Sequence, residues 1–144
     1  MLIRSVFNNH EKIPVMYTGD GEDINPSIDI LGAPSNTKSF ALIVDDPDAP
    51  KGDWVHWIVF NIPPSISRIE EDSVPKEALL GINDAKILKY HGPAPPYGVH
   101  RYFFKLFALD CMLELNEGAS KQDILHAIEG HAIDKTELIG VYGR

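Results

Sequence analysis

From position 38 the chain reads KSFALIVDDPDAP. Phe40, Leu42 and Val44 alternate with Ala41 and Ile43, so an extended backbone here is apolar on both faces, and the Asp/Pro cluster that follows breaks it. The pattern predicts a strand buried from both sides and running into a loop. Branched and aromatic residues are concentrated in the same way at 55–62 (VHWIVFNI) and 101–109 (RYFFKLFAL), the other two central-strand expectations. Between these runs lie stretches rich in Gly, Pro, Asn and Asp, at 19–26, 32–36, 46–53 and 92–98. Such residues supply turn geometry and withhold backbone donors, so they connect strands and do not continue them. One helix is expected after Gly118: Ser120 suits an N-cap, Asp123 follows three residues on, and Ile124, Leu125, Ile128 and Ala132 recur at helical spacing. A second, short helix is expected at 75–80. The reading is one mostly β, antiparallel domain over residues 1–144, with a helix packed on its sheet.

Composition supports this picture. At 144 residues, 44% hydrophobic and 24% charged, with 11 Gly and 11 Pro, the chain is ordinary globular material; collagen-like and disordered classes are set aside. The surface scaling law gives roughly 7,400 Å² for the folded chain, with about two-thirds of the unfolded surface buried, enough for one core. The formal charge of -8, from 13 Lys+Arg against 21 Asp+Glu, argues against broad attraction to nucleic acid or anionic lipid. A single cysteine, Cys111, precludes an internal disulfide, and the first residues lack the apolar core of a secretory signal, so a cytoplasmic location is expected. No apolar run approaches the roughly 18 residues of a membrane span.

Three polar features stand out against the apolar pattern. Asp45-Asp46-Pro47-Asp48-Ala49-Pro50 places three carboxylates in six residues, where repulsion raises at least one pKa unless partners lie near. His56 sits between Trp54 and Trp57 inside an apolar run, and His100-Arg101 stands where the proline-rich stretch at 92–98 enters a strand. Strand ends meeting loops are where polar groups converge on pockets. Taken singly, each has an ordinary reading: a hairpin loop, a core histidine bonded to a carbonyl, a solvated strand entrance, a rigid proline loop.

Together, the string at 45–50 (DDPDAP), the run at 54–63 (WVHWIVFNIP), Gly92-Pro93, and Gly98-Val99-His100-Arg101-Tyr102 resemble the phosphatidylethanolamine-binding protein family, in its compact bacterial and archaeal, kinase-inhibitor-like branch. Stretches at 13–21, 127–131 and 137–140 carry the resemblance over most of the chain. It implies an antiparallel β-sandwich with Greek-key character, one C-terminal helix, short peripheral helices, and a small anion pocket at one end. Carried over by position, the resemblance makes Asp46 the pocket aspartate and His56 the histidine of the tryptophan-containing strand. Gly92 and Pro93 become a pocket wall, and His100 and Tyr102 the histidine and tyrosine of the His-Arg-Tyr segment. Asp48, Pro50 and Arg101 become supporting residues, with an Asp48–Arg101 ion pair bracing the loops and a cis Ala49–Pro50 peptide. Gly19 and Ala94 stand where relatives often carry cysteine. His91 replaces a usual glycine beside the wall and adds a third imidazole.

Two histidines, a phenol and backbone amides suit a tetrahedral oxyanion, because imidazolium donates charge-assisted hydrogen bonds. Asp46 would repel a bare dianion, so a phosphate monoester or zwitterionic head group is the better match, with apolar surface near Trp54 or Tyr97 taking the rest of the ligand. The expected function is a non-catalytic phospho-ligand binding protein that modulates a partner and needs no cofactor. The alternative is a protease or kinase inhibitor acting through the loop at 93–98; a homodimer is compatible with both. Asp46, His56 and His100 also form a formal two-His, one-carboxylate set for Zn²⁺ or Fe²⁺, the basis of a metal-dependent hydrolase reading, but no nucleophile is paired with a base.

Overall fold

The three apolar runs become the middle of a six-stranded sheet. In the structure, a computed structural model describing residues 1–144, β4 (Ser39–Asp46) lies between β5 (Trp54–Ile62) and β8 (Val99–Leu109) and is antiparallel to both. β9 (Ala132–Gly143) pairs with β8. Two-residue strands close the edges, β2 (Glu11–Lys12) beside β9 and β7 (Leu79–Leu80) beside β5. β2 runs parallel to β9, a departure from the all-antiparallel expectation, and Ile13 N–H continues the contact to the Val141 carbonyl at 2.8 Å. A second sheet holds β1 (Leu2–Arg4), β3 (Ile28–Leu31) and β6 (Arg68–Ile69), in the order β1-β3-β6.

The alternation along β4 sorts its side chains between two cores. Phe40, Leu42 and Val44 join Ile3, Ile28, Ile30 and Ile69 of the small sheet in a cluster of 20 buried residues, so the two sheets share that core. Ala41 and Ile43 point the other way and join Ile124 and Ile128 in a cluster of 11 under the helix. Each fully buried Val, Leu, Ile or Phe side chain contributes about 1.5–3 kcal/mol on burial. The accessible surface, 7188 Å², is close to the scaling expectation. No helix is long and apolar enough to cross a membrane.

The helix, α1 (Lys121–Ala127), begins as expected: the Ser120 hydroxyl accepts the Asp123 N–H at 3.1 Å and the Asp123 carboxylate accepts the Ser120 N–H at 3.0 Å. It is shorter than its apolar spacing suggested, because Gly130 adopts φ +76 just after it and Ala132 already belongs to β9. The segment at 75–80 is a turn followed by β7, not a helix. Six residues cannot repay helix nucleation, whereas Leu79 and Leu80 pair with Phe60 and Val59.

Two irregularities interrupt the pairing of β5 with β4. Val44 pairs with Trp57 but Asp45 pairs with Val55, leaving His56 as an extra, bulged residue; at the other end Phe40 pairs with Ile62 and Leu42 with Val59, with Asn61 at φ +52. Bulges re-aim side chains and gather near functional sites. The Ala49–Pro50 peptide, expected to be cis, is trans like every other peptide bond; the turn at 49–52 closes in that form through Gly52 N–H to the Ala49 carbonyl at 3.0 Å, and trans is the intrinsically favoured isomer.

Candidate functional site

The paired aspartates at the end of β4 are the last two residues of the strand, both buried. Strand alternation sends them to opposite faces. Asp45 faces α1, where its Oδ2 takes Lys121 Nζ at 2.7 Å and Lys105 Nζ at 3.1 Å. Asp46 faces the other way, with Oδ2 2.7 Å from His100 Nδ1 and Oδ1 accepting the Asp48 N–H at 2.7 Å. The third carboxylate, Asp48, is held bidentately by Arg101 at 2.8 and 2.9 Å, as the ion-pair expectation has it. Arg101 and its backbone N–H bring the Asp48 carboxyl down to about 2. The expected mutual repulsion is thus answered by a separate partner for each carboxylate.

His56 reaches the same space from the neighbouring strand because of its bulge. Regular alternation would place residues 56 and 57 on opposite faces; here Trp57 stays in the inter-sheet core while His56 packs edge-on against Tyr102, ring centroids 5.2 Å apart. His56 Nδ1 lies 2.5 Å from the His91 carbonyl. A carbonyl only accepts, and so does an ionised carboxylate. Nδ1 therefore carries the proton in both His56 and His100, leaving Nε2 of each ring without a protein partner. Burial, the largest influence, pulls the His56 pKa below its ordinary value against the Asp46 charge, which keeps this ring neutral with Nε2 as an acceptor. Tyr102 is pushed well up, first by burial and then by the Asp46 carboxylate; it remains a neutral hydroxyl able to donate.

These groups surround a cavity of about 240 Å³ whose polar walls are Asp46, His56, His91, His100 and Tyr102. Ala49, Pro50, Trp54, Ala94, Pro95 and Pro96 supply the apolar side. Gly92 and Pro93, expected as wall residues, do not line it: they stand behind the wall, buried. A Cβ on Gly92 would sit 2.5 Å from the Tyr17 carbonyl oxygen, so only glycine allows this approach. Gly92 N–H donates to Asp23 at 2.6 Å and the Pro93 carbonyl accepts from Gly19 N–H at 2.8 Å. Tyr97, expected to add apolar surface, is 71% exposed and lies outside the cavity.

Sequence reasoning missed Asp23. It anchors Gly92 and approaches His91 Nδ1 at 4.0 Å, yet it is one of three acidic residues in a glycine-rich turn, with nothing to set it apart from Asp20 and Glu22. It also missed that Arg144, bonded to Asp20 and to the Pro95 carbonyl, ties the proline loop to the end of β9. Asp46, His56 and His100 line one cavity, but their ligating atoms do not all come within 4.8 Å of one another. The group of three His, Cys, Asp or Glu residues whose ligating atoms lie within 4.8 Å of one another is elsewhere, at Asp110, Cys111 and His131.

Comparison with known proteins agrees with the architecture. The sequence model described as phosphatidylethanolamine-binding protein matches residues 3–143. A Methanothermobacter thermautotrophicus protein designated a UPF0098 protein is 50% identical over 143 residues, covering 96% of this chain and 95% of its own. A Pyrococcus horikoshii protein of the same designation is 47% identical, covering 99% of this chain and 76% of its own. Among solved structures, a putative phosphatidylethanolamine-binding protein homolog from Chlamydia trachomatis superimposes with a TM-score of 0.95 at 38% identity, covering 99% of this chain and 97% of its own. Escherichia coli YbcL, described as a new member of the mammalian family, does so at 0.91 and 29%, covering 99% and 98%. With a family match across nearly the whole length and relatives at up to half identity, the chain belongs to the phosphatidylethanolamine-binding protein family.

Proposed function

We propose that this protein is a non-catalytic binding protein for a small phosphate-bearing molecule, acting as a modulator and not as an enzyme. The observation that supports this most is the buried Asp46–His100 pair at 2.7 Å, which points one imidazole Nδ1–H at a carboxylate and leaves its Nε2 to the cavity. Once protonated, His100 donates a charge-assisted hydrogen bond from Nε2 to an anionic oxygen. Tyr102 adds a neutral donor, while the neutral His56 offers an acceptor. One anionic oxygen and one P–OH on the same ligand match that donor and acceptor set, so a singly protonated phosphate monoester fits better than a dianion facing Asp46. Trp54 and the prolines give an ester substituent an apolar surface.

Calorimetric titration with inorganic phosphate and with O-phosphoethanolamine tests this. Binding weakens as pH rises and the ligand loses its P–OH proton, the monoester binds more tightly than phosphate, and H100A loses affinity. Affinity unchanged between pH 5.5 and 8 sinks the reading. A second reading, docking of the proline loop on a protease or kinase, draws on the exposed Tyr97 and Val99, at 71% and 69%. Inhibition of such a partner that survives H100A but not Y97A favours it.

A further inference from the structure

At the other end of β8 the strand pair builds a second polar cluster that the anion pocket does not use. From position 100 to position 110 an extended strand travels about 30 Å, so the two clusters are independent. Asp110 follows β8 directly and faces His131, just before β9; its N–H donates to the His131 carbonyl at 3.0 Å, and His131 Nδ1 lies 2.8 Å from Asp110 Oδ1. Cys111 comes next in the chain. Its backbone carbonyl accepts the hydroxyl of fully buried Ser39 at 2.6 Å. The bulged Asn61 clamps the same segment two residues on, donating to the Leu113 carbonyl at 2.9 Å and accepting the Leu113 N–H at 2.8 Å. Three potential ligands therefore stand on backbone fixed from three sides, with their ligating atoms within 4.8 Å of one another.

We infer that Asp110, Cys111 and His131 form a binding site for a divalent transition-metal ion of the Zn²⁺ class. Thiolate, imidazole and carboxylate together are the donor set of tetrahedral zinc, with metal–ligand distances of about 2.0–2.3 Å that put ligating atoms roughly 3.3–3.8 Å apart. Reaching that spacing means opening the Asp110–His131 hydrogen bond by about half an ångström, with the ring proton carried on Nε2 in place of Nδ1 and the thiol proton released to water as the ion binds. The side chains of Asp110 and His131 are 43% and 49% exposed, so an ion reaches them from solution and water takes the fourth position.

Cys111 is the sole cysteine, so thiol chemistry reports on this site alone. The test measures alkylation of Cys111 in the full chain, with and without ZnCl2, alongside the spectrum of the protein loaded with CoCl2. The expected results are at least about a tenfold slowing of alkylation that EDTA reverses, a thiolate-to-cobalt charge-transfer band that Cys111→Ser removes, and about tenfold or greater weakening in His131→Gln and in Asp110→Asn. H100A must leave the zinc effect unchanged, which separates this site from the anion pocket. Thermal melts of each variant confirm that it is folded. Alkylation unaltered by zinc overturns the inference. So does protection that persists undiminished in both His131→Gln and Asp110→Asn, which would mean an adventitious ion only.

Discussion

Two Asp–His pairs with nearly the same geometry stand at opposite ends of β8. Asp46–His100 is 2.7 Å long with side chains 4% and 8% exposed; Asp110–His131 is 2.8 Å long with side chains 43% and 49% exposed. In the buried pair every atom but His100 Nε2 is engaged, because Asp46 Oδ1 is taken by the Asp48 N–H, and the free nitrogen borders a cavity. In the exposed pair water competes for each group, and a thiol lies beside them. The contrast teaches that the pairing alone does not define chemistry. Burial turns one pair into a fixed donor with a single open direction, while exposure and a soft neighbour leave the other open to a metal.

The largest expected effect comes from removing one member of the buried pair. Asp46→Ala leaves the buried His100 Nδ1–H without its acceptor and should cost up to about 3 kcal/mol in urea unfolding, whereas Asp110→Ala should cost no more than about 1 kcal/mol. Equal losses would show that burial is not what separates the pairs. Next in size, Gly92→Ala forces the backbone behind the pocket wall away from Tyr17 and should destabilise by about 1–3 kcal/mol, read from the same unfolding curves. A third, smaller effect concerns His56. Its folded pKa lies below the ordinary value, so the unfolded chain takes up protons first as pH falls. Its contribution is intact above about pH 6.5 and declines as pH drops below that toward the folded value. His56→Gln should flatten this part of the stability profile, and a profile as steep as the parent's would contradict the assignment. The smallest concerns Arg101→Ala, which should return the Asp48 carboxyl from about 2 toward its ordinary range in carboxyl-resolved NMR while shifting the melting temperature little. The stability linked to Asp48 is present above its ordinary pKa and lost as pH falls toward about 2.

Much of this was legible in the chain. The strict alternation from Phe40 to Val44 told which side chains enter which core, and the turn-rich stretch at 46–53 located the strand end where Asp46 faces its pocket. What escaped had physical reasons. β9 reads as neither strand nor helix because its side chains are largely half-exposed, and its pairing with β8 is fixed by a neighbour far away in sequence. The bulge at His56 depends on register between two strands, which one strand's sequence does not specify. Gly92 is a wall residue only by the resemblance; in the structure its missing Cβ admits the Tyr17 backbone behind the wall instead. Asp110 and Cys111 are separated from His131 along the chain by a helix and meet it only through the pairing of β8 with β9.

The most direct test of the central claim is a histidine-resolved NMR titration with O-phosphoethanolamine at pH 6, comparing the parent chain with Asp46→Asn. Ring signals of His100 and His56 should move together and saturate along one binding curve, those of His131 should stay still, and Asp46→Asn should weaken the curve by about tenfold or more, since the amide no longer supports imidazolium. Movement of His131 to the same extent, or His100 signals that do not respond, would contradict the assignment of the buried pair as the anion site.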